Sequence, residues 1–164
     1  PHARSPRRVP RGSSVTVGRI ARVLGARGVD VRVWHAGDGA AAPAGLERPA
    51  LVHACHAYHA GPRGRALARA YGAPLVVTLT GPDVSTPLND PVPAPIVHEV
   101  LRAAAMVTAF HESITAAVGS ALPEIAARLV VVPQRPTSRP SPPRRRLPRF
   151  PAIPAPSSRR ASAR

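Results

Sequence analysis

Lysine does not occur in this 164-residue sequence, and cysteine, methionine and tryptophan occur once each. Two Phe, two Tyr and one Trp are the whole aromatic complement, so the apolar volume of any core comes from Val, Ile, Leu and Ala. The lone Cys55 excludes an internal disulfide framework and fits a reducing compartment, which points to the cytoplasm. No apolar run approaches the ~18 residues of a membrane span, so no transmembrane segment is expected. The opening residues, P-H-A-R-S-P-R-R, carry charge with no apolar stretch behind them and do not make a complete signal peptide.

Acids are also scarce, eight against 23 basic residues, which gives a formal net charge of +15. The excess is unevenly placed. Four arginines lie in residues 1–12 and nine in 135–164, while all eight acids lie in 13–134 beside the other ten arginines. The middle of the chain is therefore nearly balanced, at 10 − 8 = +2. An arginine-rich tail can bind nucleic acid without regard to sequence. No RNP-like or aromatic pattern accompanies it, so specific nucleic-acid recognition is not expected. From Arg135 onward there are eight prolines, no acid and no glycine. Such a segment has no periodic apolar face to offset its ordering entropy, so residues 135–164 are expected to be a disordered tail. Codons read out of frame in GC-rich DNA favour Arg, Pro, Ser and Ala, and the tail is expected to be of that origin.

What is present is a regular alternation. Val17, Ile20, Ala21 and Leu24 form a helical stripe over residues 14–27, with Ser13 or Ser14 as cap and Gly28 after the end. Val29–Trp34 alternates as a strand, residues 36–49 read as a loop, and Leu51–Cys55 as a short strand. A helix follows from Pro62, with Leu67, Ala70 and Tyr71 on one face and Gly72 at its end. Leu75–Leu79 is a continuous apolar run, as in a strand buried on both sides. A helix opens at Pro95, its stripe formed by Ile96 or Val97, then Val100, Leu101 and Ala104. Met106–Ala109 is a strand. Ile114, Ala117, Val118 and Ala121 mark a further helix that Pro123 breaks, and Leu129–Val132 is the last strand. Strands alternating with helices predict an α/β fold, a Rossmann-like parallel sheet with helices on both faces. The domain is expected over 12–134, with 1–11 a poorly ordered remnant of the amino terminus.

In open parallel sheets ligands bind beyond the carboxyl ends of the strands. That rule selects His56 to Gly61, Thr80 to Asp83, His111 to Ser113, and Pro133-Gln134. Gly12 and Ser13 stand at a helix start, where backbone N–H groups and the helix dipole favour an anion, although an empty cap is the commoner use of such residues. His53, His56, His59 and Cys55 match no common zinc spacing, and only His56 and His59 fall at the rim, so no metal is expected. His111-Glu112 reads equally as an acid/base pair or as a carboxylate favouring a helix dipole. No P-loop and no G-x-G-x-x-G is present, which disfavours nucleotide hydrolases and conventional dinucleotide enzymes.

Five segments in order, G-S-S-V-T-V-G-R-I-A-R-V-L, L-V-H-A-C-H-A-Y-H-A-G-P, P-L-V-V-T-L-T-G-P-D, V-T-A-F-H-E-S-I and R-L-V-V-V-P-Q, resemble the amino-terminal domain of family 4 glycosyltransferases, enzymes of the two-domain GT-B type. The resemblance implies a glycosyltransferase acting on a nucleotide-sugar substrate, with no further cofactor, and a single GT-B half in residues 11–134. It implies that Gly12 and Ser13 border the donor, and that Thr80, Gly81 and Asp83 line the acceptor side with His111 and Glu112 nearby; His56 and His59 join that cleft from the same strand-end edge. Ser13 stands where the family pattern has asparagine, and Pro82 where it has threonine. The first strand and the second domain of the family are not seen in this sequence, so the isolated chain is expected not to transfer sugar and no catalytic residue is named. The alternatives are a small Rossmann-like binding module without catalysis, and non-specific nucleic-acid binding through the tail.

Overall fold

The structure, a computed structural model, describes residues 12–35, 47–81, 84 and 87–133. The expectations for residues 1–11, for Pro82, Asp83 and Gln134, and for the tail 135–164 lie outside these residues. The chain divides into two compact units, Pro1–Gly39 and Ala40–Arg164.

In the first unit, α1 spans Gly12–Gly25. It begins two residues earlier than the periodicity suggested, so Ser13 and Ser14 fall inside its first turn rather than ahead of it. Val17, Ile20, Ala21 and Leu24 are half-buried while Arg19 and Arg22 are exposed, as the stripe required. The helix ends where Val29 N–H donates to Leu24 C=O at 3.1 Å, with Gly28 at φ 81° making the reversal. That is the six-to-one closure for which glycine is suited. Val29–Trp34 does not form a strand. Its alternation supplies a face, but a strand also needs a hydrogen-bonded neighbour, and Val29 and Val33 stay exposed.

The second unit is built on a four-stranded sheet: β1 Val52–Cys55, β2 Leu75–Leu79, β3 Met106–Ala109 and β4 Leu129–Val131. All pairings are parallel and the order is β1-β2-β3-β4. The connections carry α2 Gly61–Tyr71, α3 Ala94–Ala103 and α4 Glu112–Ala121. A 3-10 helix, Pro123–Arg128, leads into β4. The parallel, Rossmann-like α/β sheet read from the sequence is present.

Register explains the core. Ala54, Val77, Val107 and Leu129 stand level across the four strands and therefore point to one face. Val97, Val100, Leu101 and Ala104 bury their side chains on the helical side. This settles the α3 stripe on Val97, with Ile96 left outward. Each fully buried Val or Leu contributes about 1.5–3 kcal/mol. Helix α2 departs from expectation. It buries Gly61, Gly64 and Ala68, not Ala70, because closeness to the sheet selects its smallest residues. A Cβ at Gly64 would lie 2.9 Å from Ala54 Cβ in β1, and one at Gly61 would lie 2.6 Å from Val100 Cγ1 in α3, so α2 is pressed against both sheet and helix. Gly72, at φ 59°, ends α2 with its N–H on the C=O of Arg69. On both sides of Pro123 the chain contributes to the core, since Leu122 and Ile125 are buried. Ion pairs Arg65–Glu99 and Arg102–Glu124 tie α2 to α3 and α3 to the 3-10 helix at the surface. Arg128 Nη1 donates to the C=O groups of Arg102 and Ala104, satisfying the end of α3.

Candidate functional site at the carboxyl edge of the sheet

The strands end almost flush. Leu79, Ala109 and Val131 are level, and Cys55 stands opposite Thr78, one residue short. The ladder continues one step past β1, because His56 N–H donates to Thr78 C=O at 3.0 Å. Beyond β3, Val132 N–H donates to Ala109 C=O at 2.7 Å. His56, Thr80-Gly81, Phe110-His111 and Val132-Pro133 thus leave the sheet along one edge. Flush strand ends are what bring residues distant in sequence to one side.

At β1 the exit is abrupt. His56 has φ 106°, and no other described non-glycine residue has a positive φ. A non-glycine residue held there costs on the order of 1–3 kcal/mol. Its surroundings hold it. Ala57 is fully buried, and Ala60 N–H donates back to His56 C=O at 3.2 Å. His59 N–H donates to His56 Nδ1 at 3.2 Å. The His56 and His59 rings lie 4.4 Å apart, and Tyr58 meets His59 edge-on at 5.1 Å. Two residues on, α2 begins.

At β2, Thr80 follows the strand, half-buried, and Gly81 takes φ 88°, with no described residue within 4 Å of a Cβ built on it. Val84 N–H closes a turn on Gly81 C=O at 3.0 Å. Asp83 is outside the described residues. At β3, His111 is the extended residue that starts α4, and Ile114 N–H donates to its C=O at 3.1 Å. Glu112 is exposed in the first turn of α4, where a carboxylate favours the helix dipole. The edge therefore brings together His56, His59, Thr80, Gly81, His111 and Glu112 from three strand ends. Gly12 and Ser13 open α1 in the other unit.

One polar feature was not read from the sequence. Thr78 lies within the apolar run of β2 and is 4% exposed. Its Oγ1 stands 2.7 Å from His53 Nε2 and 2.7 Å from Thr108 Oγ1, which links three strands through side chains. Cys55 Sγ lies 3.9 Å from the same His53 nitrogen. His53 keeps an exposed side, yet burial of its surroundings holds its imidazole pKa below the usual value. The signal available in the sequence was a threonine at the same depth of two neighbouring strands, which matters only once the register is known. Among the described residues no group of three His, Cys, Asp or Glu forms a metal-binding cluster. No described helix is long and apolar enough to cross a membrane.

Fold and edge together define the class, an α/β protein with a Rossmann-like parallel sheet and a polar carboxyl edge. No family model, curated protein or solved structure matches the chain.

Proposed function

We propose that the second unit of this chain is the acceptor-side part of a glycosyltransferase of the GT-B type, working with a nucleotide-sugar donor. The observation that carries the reading is the flush carboxyl edge, where His56, Thr80-Gly81 and His111-Glu112 leave neighbouring parallel strands. These are the segments that resemble the family 4 enzymes, and parallel sheets of this kind bind ligands there.

On this reading the described residues bind and orient. Gly81, without a side chain and with no described residue within 4 Å of a Cβ built on it, lets a sugar ring approach the backbone. Thr80, His56 and His111 supply polar groups around it. Glu112 is the one described carboxylate on the edge, and it serves to favour a hydroxyl proton of the acceptor. Gly12 and Ser13 belong to the reading as donor-side residues.

Titration of the full chain with UDP-glucose and GDP-mannose, against NAD and ATP, tests this. Saturable binding of a nucleotide sugar, whose sugar group has to reach the acceptor-side edge to be transferred, weakened about 2- to 10-fold by Thr80→Val as a lost hydrogen bond of ~0.5–1.5 kcal/mol requires, is the expected result. Equal binding of all four nucleotides, or a Thr80→Val chain indistinguishable from the parent, contradicts it.

A further inference from the structure

We infer that α1 lies on the surface of an anionic bilayer, with its outward face set among the lipid headgroups. The inference concerns the first unit alone and does not rest on the glycosyltransferase reading.

The helix has two sides. Val17, Ile20, Ala21 and Leu24 form its half-buried stripe. At roughly 100° per residue, Val15, Arg19, Arg22 and Val23 fall on one arc of about 100°, on the side away from that stripe. All four are exposed, Val15 at 40% and Val23 at 51%. The outward face thus presents two valines flanked by two arginines.

The charge on this side is unopposed. Residues 1–29 hold seven arginines and no acid. The first acid, Asp30, is taken up by Arg32. Elsewhere Arg65 and Arg102 hold Glu99 and Glu124, and Arg48 and Arg128 hold backbone C=O groups. Among the described residues, the side chains of Arg19, Arg22 and Arg27 hold no such partner.

A partner has to suit both the charge and the valines. Nucleic acid offers phosphates but nothing apolar for Val15 and Val23. It also binds single strands by stacking bases on aromatic rings, and residues 1–29 contain no Phe, Tyr or Trp. The surface of an anionic bilayer offers both. An arginine keeps its guanidinium at the headgroup phosphates while its stem lies along apolar surface, and a valine beside it enters the acyl boundary. Neither signal is strong by itself, and the two together give stable attachment. The helix lies on the bilayer and does not cross it, because its 14 residues fall short of the ~20 that a span needs.

The test is sedimentation of the full chain with vesicles, made either of mixed phosphatidylglycerol and phosphatidylcholine or of phosphatidylcholine alone. Binding is expected with the mixed vesicles only, and it falls as salt rises. The arginines of residues 135–164 could produce that result by charge alone, so the deciding variants sit on α1. Val15→Ser with Val23→Ser leaves the charge untouched and is expected to weaken partitioning on the order of 10-fold. Arg19→Gln and Arg22→Gln are each expected to weaken it about 5-fold. The replaced side chains are exposed, and an unchanged circular dichroism spectrum and urea midpoint establish that each variant folds. In bicelles, lipid with a paramagnetic headgroup is expected to broaden the amide signals of residues 15–23.

A serine double variant that partitions like the parent overturns the inference. So does equal binding to the neutral vesicles, or broadening confined to residues 135–164. A chain that ignores both vesicles, but whose α1 amides shift with a single-stranded oligonucleotide, makes this face a nucleic-acid contact and overturns it as well.

Discussion

A Cβ placed on Gly64 would stand 2.9 Å from the Cβ of Ala54. Helix α2 therefore meets β1 with no room between them, and that contact sets the height at which α2 starts above the edge residues His56 and His59. Gly64→Ala is expected to destabilise the chain by about 1–3 kcal/mol through overpacking, although alanine is the better helix former. The control is Gly18→Ala in α1, where a Cβ meets nothing within 4 Å. That change is expected to stabilise by roughly 0.5–1 kcal/mol. Urea midpoints of the two variants with opposite signs confirm the account of α2. A stabilised Gly64→Ala chain contradicts it.

Gly81 calls for a different argument. Among the described residues nothing lies within 4 Å of a Cβ built on it, but its φ is 88°. Gly81→Ala is expected to cost on the order of 1–3 kcal/mol from backbone strain alone, and Gly81→Asn less, because asparagine visits positive φ more readily. A greater loss for Gly81→Asn than for Gly81→Ala would show that side-chain volume, not backbone conformation, decides this turn.

The His53–Thr78–Thr108 chain predicts a pH dependence. Burial lowers the folded-state pKa of His53 below the ordinary histidine value of about 6.5. As pH falls through that value the unfolded chain takes up a proton before the folded one does, so folding stability falls with it. Stability is complete above about pH 6.5 in this respect and declines below it. His53→Gln is expected to flatten the urea-midpoint profile between neutral and mildly acidic pH. An unchanged slope in that variant places the dependence elsewhere. Glu124 acts in a separate window. Its hydrogen bond from Arg102 lowers its pKa, so its contribution is present above the ordinary carboxylate range and is lost as pH drops through the folded pKa.

Thr78→Val keeps the side-chain shape and removes the hydroxyl shared by His53 and Thr108. With Thr78 4% exposed, the expected loss is about 1–3 kcal/mol, set by the partners left unsatisfied. A double-mutant cycle with Thr108→Val measures whether the two hydroxyls act as one unit. Strict additivity contradicts a shared network.

The sequence made the parallel sheet legible because its strands, Leu75–Leu79 above all, are short apolar runs between helical stripes such as Val97, Val100 and Leu101. It misled at Val29–Trp34, where alternation describes one strand and says nothing of a neighbour to pair with. It also misled on α2. Leucine and tyrosine looked like the packing face, whereas Gly61, Gly64 and Ala68 pack because α2 approaches both α3, at Gly61, and the sheet, at Gly64, closely. The edge residues were legible from the rule that ligands meet strand ends. The positive φ of His56 and the locked orientation of its ring were not, since both arise from the tertiary burial of Ala57 and the amide of His59. The Thr78–Thr108 link was hidden for a related reason, as two threonines 30 residues apart become partners only through register.

The most direct test of the central claim is residue-by-residue mapping of nucleotide-sugar binding on the full chain, by amide shifts on addition of UDP-glucose or GDP-mannose. The account predicts shifts at the donor-side Gly12 and Ser13 and, because the transferred sugar has to reach the acceptor side, at residues 56–61, 80–81 and 110–113, the carboxyl edge of the sheet. Shifts gathered at Val52, Leu75 and Met106, on the opposite edge, or no saturable shift with either nucleotide sugar, would contradict it.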